Sequence, residues 1–234
     1  MRIFIVFILS ILIFSCNPKM GDGLRRNDLK KDIEMETNMG TIVLRLNDST
    51  PLHRNNFLKL VKQHYFDSVL FHRVINHFMI QAGDPNSKQA KPGQLLGDGG
   101  PAYTIPAEFR ASLFHKKGVL AAARDGDDTN PQKASSASQF YIVQGKVFTD
   151  AGLDSIETFR LKGRKLPAEH RAVYKTIGGT PHLDQNYTVF GEVIKGLSVV
   201  DSIAASPTSG RQGGDRPTKD IRIIKAQLIK RNAE

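Results

Sequence analysis

Residues 66–83 read FDSVLFHRVINHFMIQAG, and this stretch carries the strongest structural and functional signal in the chain. It places one arginine, Arg73, in an apolar segment typical of a strand, and a turn and a second strand with Phe78, Met79 and Gln81 follow directly. A cation beside an apolar surface suits a pocket that holds an apolar ligand and polarises one of its bonds. A buried hairpin whose arginine pairs with a carboxylate is the simpler alternative, and FHRV alone would favour it.

The composition is that of a globular protein. The chain has 234 residues, of which 40% are hydrophobic and 24% charged, enough for one sizeable core. Its 33 Lys and Arg residues exceed its 23 Asp and Glu residues, which gives a formal net charge of +10. These basic residues are spread along the chain without a basic helix or a nucleic-acid motif, so we expect no nucleic-acid partner.

The N-terminus reads as an export signal. Arg2 is followed by an apolar run over residues 3–14, which is too short to cross a bilayer as a helix but suits the hydrophobic segment of a signal peptide. The only cysteine, Cys16, comes next, so no internal disulfide can form. Its position resembles a bacterial lipobox, although Phe14 is bulkier than the usual residue there. An ordinary cleaved signal with an incidental cysteine is the alternative.

These features divide the chain into three parts. We predict a signal peptide at 1–15, a lipidated Cys16 with a flexible tether at 16–32, and one folded domain at 33–230. The expected product is an exported lipoprotein, anchored in a membrane of a bacterial cell envelope at the periplasmic face or the outer membrane.

The domain reads as mostly β. Many short strands, glycine-rich loops and few helices favour a closed antiparallel barrel over a sheet built from βαβ units. A helix is predicted to start at Thr50-Pro51, with threonine as the cap and proline at the first helical position. Residues 199–204 are predicted to belong to a second short helix that opens near Gly196. The predicted strands are a hairpin at 33–46 and segments 69–75, 78–83, 118–123, 138–143, 188–194 and 221–229.

Residues 145–178 interrupt the strand-rich pattern. They read as two helical pieces separated near residues 163–167. We interpret them as an insertion beside the binding groove, too short to be a domain. A role in specificity or partner binding is one interpretation, and a simple loop decoration is the other.

The eighteen residues 66–83 match in register the signature that is typical of cyclophilin-type peptidyl-prolyl cis-trans isomerases. The chain also resembles this family in GVLAAA at 118–123, SQFY at 138–141 and TPHLDQNYTVFG at 180–191. The resemblance covers about residues 33–230. It implies a closed eight-stranded antiparallel β-barrel capped by two helices. It also implies isomerase activity on proline-containing polypeptides without a cofactor or metal.

The reaction explains why these residue types are needed. Rotation about an X–Pro bond is slow because the amide nitrogen lone pair is delocalised into the carbonyl group. In the twisted state the nitrogen regains its lone pair, so a hydrogen-bond donor aimed at it gains strength only in the transition state. Arg73 is the predicted catalytic residue, because a guanidinium group stays charged and presents a rigid set of donors.

The resemblance assigns ten further residues to substrate binding, and four of them depart from the family pattern. Tyr141 stands where phenylalanine is usual and is expected to make the pocket slightly more polar. Arg124 stands where asparagine is usual, so only its main-chain role carries over. His182 and Tyr187 stand where animal cyclophilins have tryptophan and histidine. The ten residues are Phe78, Met79, Gln81, Ala123, Arg124, Gln139, Tyr141, His182, Leu183 and Tyr187.

Other functions have less support. A cyclophilin-fold peptide-binding chaperone or assembly partner with little catalysis is the second hypothesis, and an exported hydrolase, for which no GxSxG motif is present, is the third. The histidines show no paired-ligand spacing, and His72 is expected to be a hydrogen-bonded structural residue. We expect no metal site and a monomeric protein.

Overall fold

The computed structural model describes residues 23–231. Its ten strands in this region are β1 (Lys31–Thr37), β2 (Gly40–Leu46), β3 (Arg73–Ile75), β4 (Met79–Ala82), β5 (Thr104–Ile105), β6 (Val119–Ala122), β7 (Ser135–Ser136), β8 (Phe140–Val143), β9 (Val189–Lys195) and β10 (Ile223–Lys230). Eight of them form one curled antiparallel sheet in the order β10-β1-β2-β9-β6-β8-β4-β3, and β5 pairs separately with β7. The α-helices of the same region are α1 (Pro51–Lys62), α2 (Asp150–Ser155), α3 (Ala168–Thr176) and α4 (Leu197–Ala204).

The predicted β class and strand number are confirmed, but the barrel is only partly closed. Its edge strands β3 and β10 do not pair along their length, and an isolated bridge between Leu70 and Arg222 joins the segments that precede them. Main-chain hydrogen bonds from the Phe71 amide to the Ile221 carbonyl and from the Ile223 amide to the Val69 carbonyl, both 2.8 Å, form this bridge. The strand predicted at 69–75 is interrupted after it, and regular pairing begins again at Arg73.

Alternation along the strands gives the sheet two apolar faces. Leu120, Ile142 and Ile80 are opposite one another on β6, β8 and β4, and all three belong to the main core. Met79 directly precedes Ile80, and Tyr141 directly precedes Ile142. Both belong to a second apolar cluster. Because successive side chains of a strand point to opposite faces, this second cluster lies on the outer face of the curled sheet.

Two helices cover the main core, as predicted. Phe57 of α1 lies against Phe66 and Phe140, with ring centroids 4.8 and 5.2 Å away. Val200 and Ile203 of α4 are buried in the same core. The two helices therefore fix the inner face of the sheet, whose outer face remains available for binding.

The cap of α1 differs from the sequence prediction. The Thr50 hydroxyl makes no capping hydrogen bond to the helix. The Glu108 carboxylate, 55 residues or more away in sequence, accepts from the main-chain amides of Leu52 and His53 at 3.1 and 2.9 Å. A carboxylate at this position also complements the positive end of the helix dipole. A local capping pattern could not reveal this partner.

The insertion at 145–178 has the two predicted helical pieces, with a π-helical turn over Ile156–Arg160 after α2. Its fold is centred on the buried Glu157 carboxylate, which accepts from the Leu166 amide, Lys165 and Arg171 at 3.1, 2.8 and 2.8 Å. Burial raises the pKa of Glu157, but these hydrogen bonds lower it by a larger amount, and the resulting pKa is about 2. The carboxylate is therefore charged at neutral pH and holds the turn in place.

The folded part begins earlier than residue 33. Leu24 is fully buried, Arg26–Lys30 form a 3-10 helix and β1 begins at Lys31, so residues 24–32 of the predicted flexible tether belong to the fold. The predicted signal peptide and Cys16 lie outside the described residues. Between residues 23 and 231, no helix has the length and apolar character needed to cross a bilayer.

Gly83 provides a test of the packing between β4 and the loop before β8. Its φ is +105°, and a Cβ atom at this position would lie 2.1 Å from the Ser138 carbonyl oxygen. Gly93 has a φ of +73° but open space around it, so it is a matched control. We expect Gly93→Ala to cost about 1–2 kcal/mol from backbone strain alone. Gly83→Ala should cost about 1–3 kcal/mol more because of the clash. Urea unfolding measures both, and equal losses would contradict this account of the packing.

Candidate active site

One row of residues across four strands forms the centre of the site. Arg73 of β3 pairs with Gln81 of β4, Gln81 pairs with Tyr141 of β8, and Tyr141 pairs with Ala121 of β6. Residues directly opposite in an antiparallel sheet project from the same face. The register therefore brings the predicted catalytic arginine and two predicted binding residues together on the outer face.

These residues surround a pocket of about 150 Å³. All of its lining residues are among the predicted site residues: Arg73, Phe78, Met79, Gln81, Ala123, Arg124, Tyr141, Leu183 and Tyr187. The floor is apolar because Met79 and Tyr141 are buried in the outer cluster, and Phe78, Leu183 and Tyr187 pack against that cluster. A small apolar ring fits such a floor.

Arg73 is one of the two arginines that line this pocket. Its side chain is 42% exposed, its Nη1 donates to Gln81 Oε1 at 3.3 Å, and its Nε lies 3.9 Å from Asp215 Oδ2. Both contacts are long for charged groups. They orient the guanidinium group but leave donors for a ligand. Sequence reasoning missed Asp215, which is 142 positions away and belongs to no recognised motif.

Two predicted binding residues lie beside the pocket rather than in its lining. Gln139 accepts from Gln81 Nε2 at 3.0 Å and donates to main-chain carbonyl groups of the 97–99 loop, so it positions Gln81. His182 stacks on Phe78 with ring centroids 5.6 Å apart. Burial and the nearby Arg160 lower the pKa of His182 to about 4, so this ring is neutral at pH 7.

The Tyr141 hydroxyl does not make the pocket more polar, and that expectation was wrong. It hydrogen-bonds to His115 Nε2 at 2.9 Å, away from the pocket, while His115 Nδ1 bonds to Asp184 at 3.0 Å. Asp184 also accepts from the Tyr174 hydroxyl of α3 at 2.8 Å. Burial raises the pKa of Tyr141 and keeps its hydroxyl protonated. These buried hydrogen bonds connect the pocket floor to the insertion.

The structure also revises the roles of Ala123 and Arg124. The Ala123 amide donates to the Gln139 carbonyl, and its own carbonyl accepts from the Ser136 amide, so both groups are occupied. Within residues 23–231, the main-chain amide and carbonyl of Arg124 have no such partner. Its side chain, 5% exposed, covers the Tyr187 ring at 4.6 Å and pairs with Asp127 at 2.7 Å. The side chain therefore shapes the pocket, in addition to the main-chain role predicted for it.

A serine, a histidine and a glutamate are aligned as in a hydrolase, but they are buried. His53 Nε2 lies 2.9 Å from the Ser135 hydroxyl, and its Nδ1 lies 2.7 Å from Glu108. None of the three is more than 6% exposed, and Glu108 already caps α1. Since a nucleophile must reach its substrate, these residues join α1 to β7 and do not form a hydrolytic site.

His72 differs from its predicted role. It is buried, but neither ring nitrogen has a hydrogen-bond partner among residues 23–231. Burial lowers the pKa of His72 to about 4, so it is neutral beside Arg73. In the same part of the chain, no group of three or more His, Cys, Asp or Glu residues is arranged to hold a metal ion.

The Tyr141 hydroxyl offers a direct test of the buried network. Tyr141→Phe leaves His115 Nε2 buried without its partner, which should cost about 1–3 kcal/mol of the free energy of unfolding. Tyr187→Phe is the control, because the Tyr187 hydroxyl makes no hydrogen bond within the described residues, and its loss should be within about 0.5 kcal/mol. Chemical denaturation compares the two variants. If both are equally stable, the network does not support the pocket floor.

Comparison with known proteins is consistent with this geometry. The model of the cyclophilin-type peptidyl-prolyl cis-trans isomerase family matches residues 32–228. A protein of Staphylococcus haemolyticus named as a peptidyl-prolyl cis-trans isomerase is 32% identical over 207 residues, covering 88% of this chain and 94% of its own. A similarly named protein of Staphylococcus saprophyticus is 32% identical over 213 residues, covering 91% and 98%.

A solved structure shows the same fold. The crystal structure of a Cryptosporidium parvum cyclophilin-type isomerase superposes with a TM-score of 0.62 at 21% identity, covering 86% of this chain and 99% of that one. The family match spans nearly all of the described residues and includes every residue of the pocket. The chain therefore belongs to the cyclophilin-type peptidyl-prolyl cis-trans isomerases.

Proposed function

We propose that this isomerase accelerates X–Pro bond rotation in exported proteins and assists their folding, as a monomer tethered to the membrane by a lipid on Cys16. The observation that supports the catalytic part is the position of Arg73, a partly exposed guanidinium group at the rim of a small apolar pocket. The Cryptosporidium relative was also crystallised in the presence of the dipeptide Ala-Pro.

The pocket and the arginine have separate tasks in this mechanism. The proline ring occupies the floor formed by Met79, Tyr141 and Leu183, which excludes water from the amide. Arg73 then donates a hydrogen bond to the amide nitrogen as it becomes pyramidal. The planar ground state offers this nitrogen little lone-pair density, so the bond strengthens towards the transition state and lowers the barrier.

The main chain of Arg124 completes the arrangement. Its amide and carbonyl have no main-chain partner within residues 23–231 and can pair with the substrate backbone on one side of the proline. When the backbone after the proline and the proline ring are held, only the segment before the proline can rotate. The rotation is then confined to the X–Pro bond, whose nitrogen faces Arg73 in this mechanism.

The catalytic role of Arg73 is tested with a proline-limited peptide or refolding assay. Arg73→Ala should lower kcat/KM about 10²–10³-fold, the usual effect of removing one preorganised donor. Binding of the peptide should be retained because the apolar floor is intact. Arg73→Lys should recover little activity, because an ammonium group lacks the fork geometry.

Arg26→Ala is the matched control, since Arg26 is exposed in the N-terminal 3-10 helix, and it should behave as the wild type. Equal rates for wild type and Arg73→Ala would reject the catalytic role. They would instead favour a peptide-binding chaperone.

The proposed location depends on Cys16 and the export signal before it. We expect the wild-type chain in the membrane fraction of an expressing bacterium, labelled by a palmitate analogue. Cys16→Ala should be unlabelled and should leave that fraction. Unchanged fractionation of the variant would show that the lipid is not the anchor.

A further inference from the structure

A second groove adjoins the proline pocket. It has a volume of about 510 Å³ and shares Arg124, Leu183 and Tyr187 with the pocket. Because the two cavities have a common wall, a polypeptide whose proline fills the pocket passes the opening of the groove within a few residues. Side chains close to the proline in sequence can therefore enter it.

The groove is strongly basic. The carboxylates in its lining are those of Asp127 and Asp184. Its cationic side chains number five: Arg124, Lys133, Arg160, Lys162 and Arg164. The Asp184 carboxylate is buried and already accepts hydrogen bonds from His115 and Tyr174. Five cations therefore face two carboxylates, and the groove keeps a net positive charge.

Several of these cations are available for a ligand. Between residues 23 and 231, neither Arg160 nor Lys162 forms an ion pair, and both residues are exposed to solvent. Arg164 donates to the main-chain carbonyl of Asp184 at 2.6 Å. Arg124 and Lys133 instead share Asp127, at 2.7 and 3.9 Å.

The insertion supplies three of the five cations on a turn that is fixed at its base. Leu161 is buried in the insertion's own apolar cluster, next to Arg160 and Lys162. The Gly163 amide donates to the Glu157 carbonyl at 2.8 Å. The charges are therefore presented by a held turn, which loses less entropy on binding than a free loop would.

Asp127 occupies the position that an acidic ligand would take. Its side chain is 62% exposed and pairs with Lys133 and with Arg124, the cation that the groove shares with the proline pocket. The hydrogen bond from Arg124 holds the pKa of Asp127 below its usual value. An exposed carboxylate of this kind can be displaced, because exposed ion pairs are weak.

We propose that this basic groove is a specificity subsite, which selects polypeptide substrates with an acidic side chain within about two residues of the proline. The proposal rests on the proposed isomerase function and deepens it. A peptide is favoured over other anions because the groove is continuous with the proline pocket. The insertion thereby gives the enzyme a preference that the apolar pocket alone cannot supply.

The test uses two pairs of peptides and the full chain. In one pair Glu or Gln stands two residues before the proline, and in the other it stands two residues after. Glu and Gln are similar in shape, so the ratio of their kcat/KM values isolates the charge. We expect a ratio of about two to five for at least one pair in the wild type, as for partly exposed ion pairs. Raising the salt concentration to about 0.5 M should reduce it towards one.

Three variants distinguish an effect of the groove on this ratio from an effect of the protein's net charge. Lys162→Glu should lower the ratio to one or below, and Asp127→Asn should raise it by removing the competing carboxylate. Lys225→Glu makes the same charge change on an exposed position of β10, outside the groove, and should leave the ratio as in the wild type. Circular dichroism confirms that each variant is folded.

The outcomes are distinguishable. A ratio of one in the wild type, or a ratio that Lys162→Glu does not change, overturns the subsite, while turnover of the Gln peptides still reports the isomerase activity. If Lys162→Glu leaves the ratio unchanged but weakens binding to phosphatidylglycerol vesicles relative to phosphatidylcholine vesicles, the groove binds the membrane surface and the peptide proposal is wrong.

Discussion

The register of four adjacent strands is the constraint on which the site depends. β3, β4, β8 and β6 pair so that Arg73, Gln81, Tyr141 and Ala121 lie in one row. A slip of one residue in any pair would turn that strand's side chains to the opposite face. The main core opposes such a slip, because Ile80, Ile142 and Leu120 would then leave it. The apolar inner face of the sheet therefore fixes the positions of the catalytic arginine and of the pocket on the outer face.

A second layer of contacts connects this pocket to the insertion. Tyr141, His115, Asp184 and Tyr174 form a continuous set of buried hydrogen bonds from the pocket floor to α3. Each of these four side chains has a partner in the set, and a satisfied buried network of this kind specifies a unique arrangement. The insertion is thus a structural part of the site, and its basic turn has a fixed relation to the proline pocket.

The sequence predicted the residues of the pocket better than it predicted their contacts. The resemblance over 66–83 identified Arg73, Phe78, Met79 and Gln81, because all four lie in one short segment, the β3–β4 hairpin and its turn. The direction of the Tyr141 hydroxyl could not be predicted, since its partner His115 is 26 residues away on another segment.

Long-range partners explain the other differences between sequence and structure. Glu108 caps α1, and Asp215 lies beside Arg73. Each contact joins two segments that only the folded chain brings together. The same limitation applies to the basic groove. Arg160, Lys162 and Arg164 belong to no motif in the sequence, and only the fold places them in one groove with Arg124.

The central claim is that a proline ring binds to the outer apolar face while Arg73 is directed at its amide. A crystal structure of this chain with a short X–Pro peptide tests it most directly. The account predicts that the ring contacts Met79, Tyr141 and Leu183, and that an Arg73 N–H lies at hydrogen-bond distance, about 3 Å, from the proline nitrogen or the preceding carbonyl oxygen. A peptide bound elsewhere, with Arg73 turned towards Asp215 and away from the amide, would contradict it.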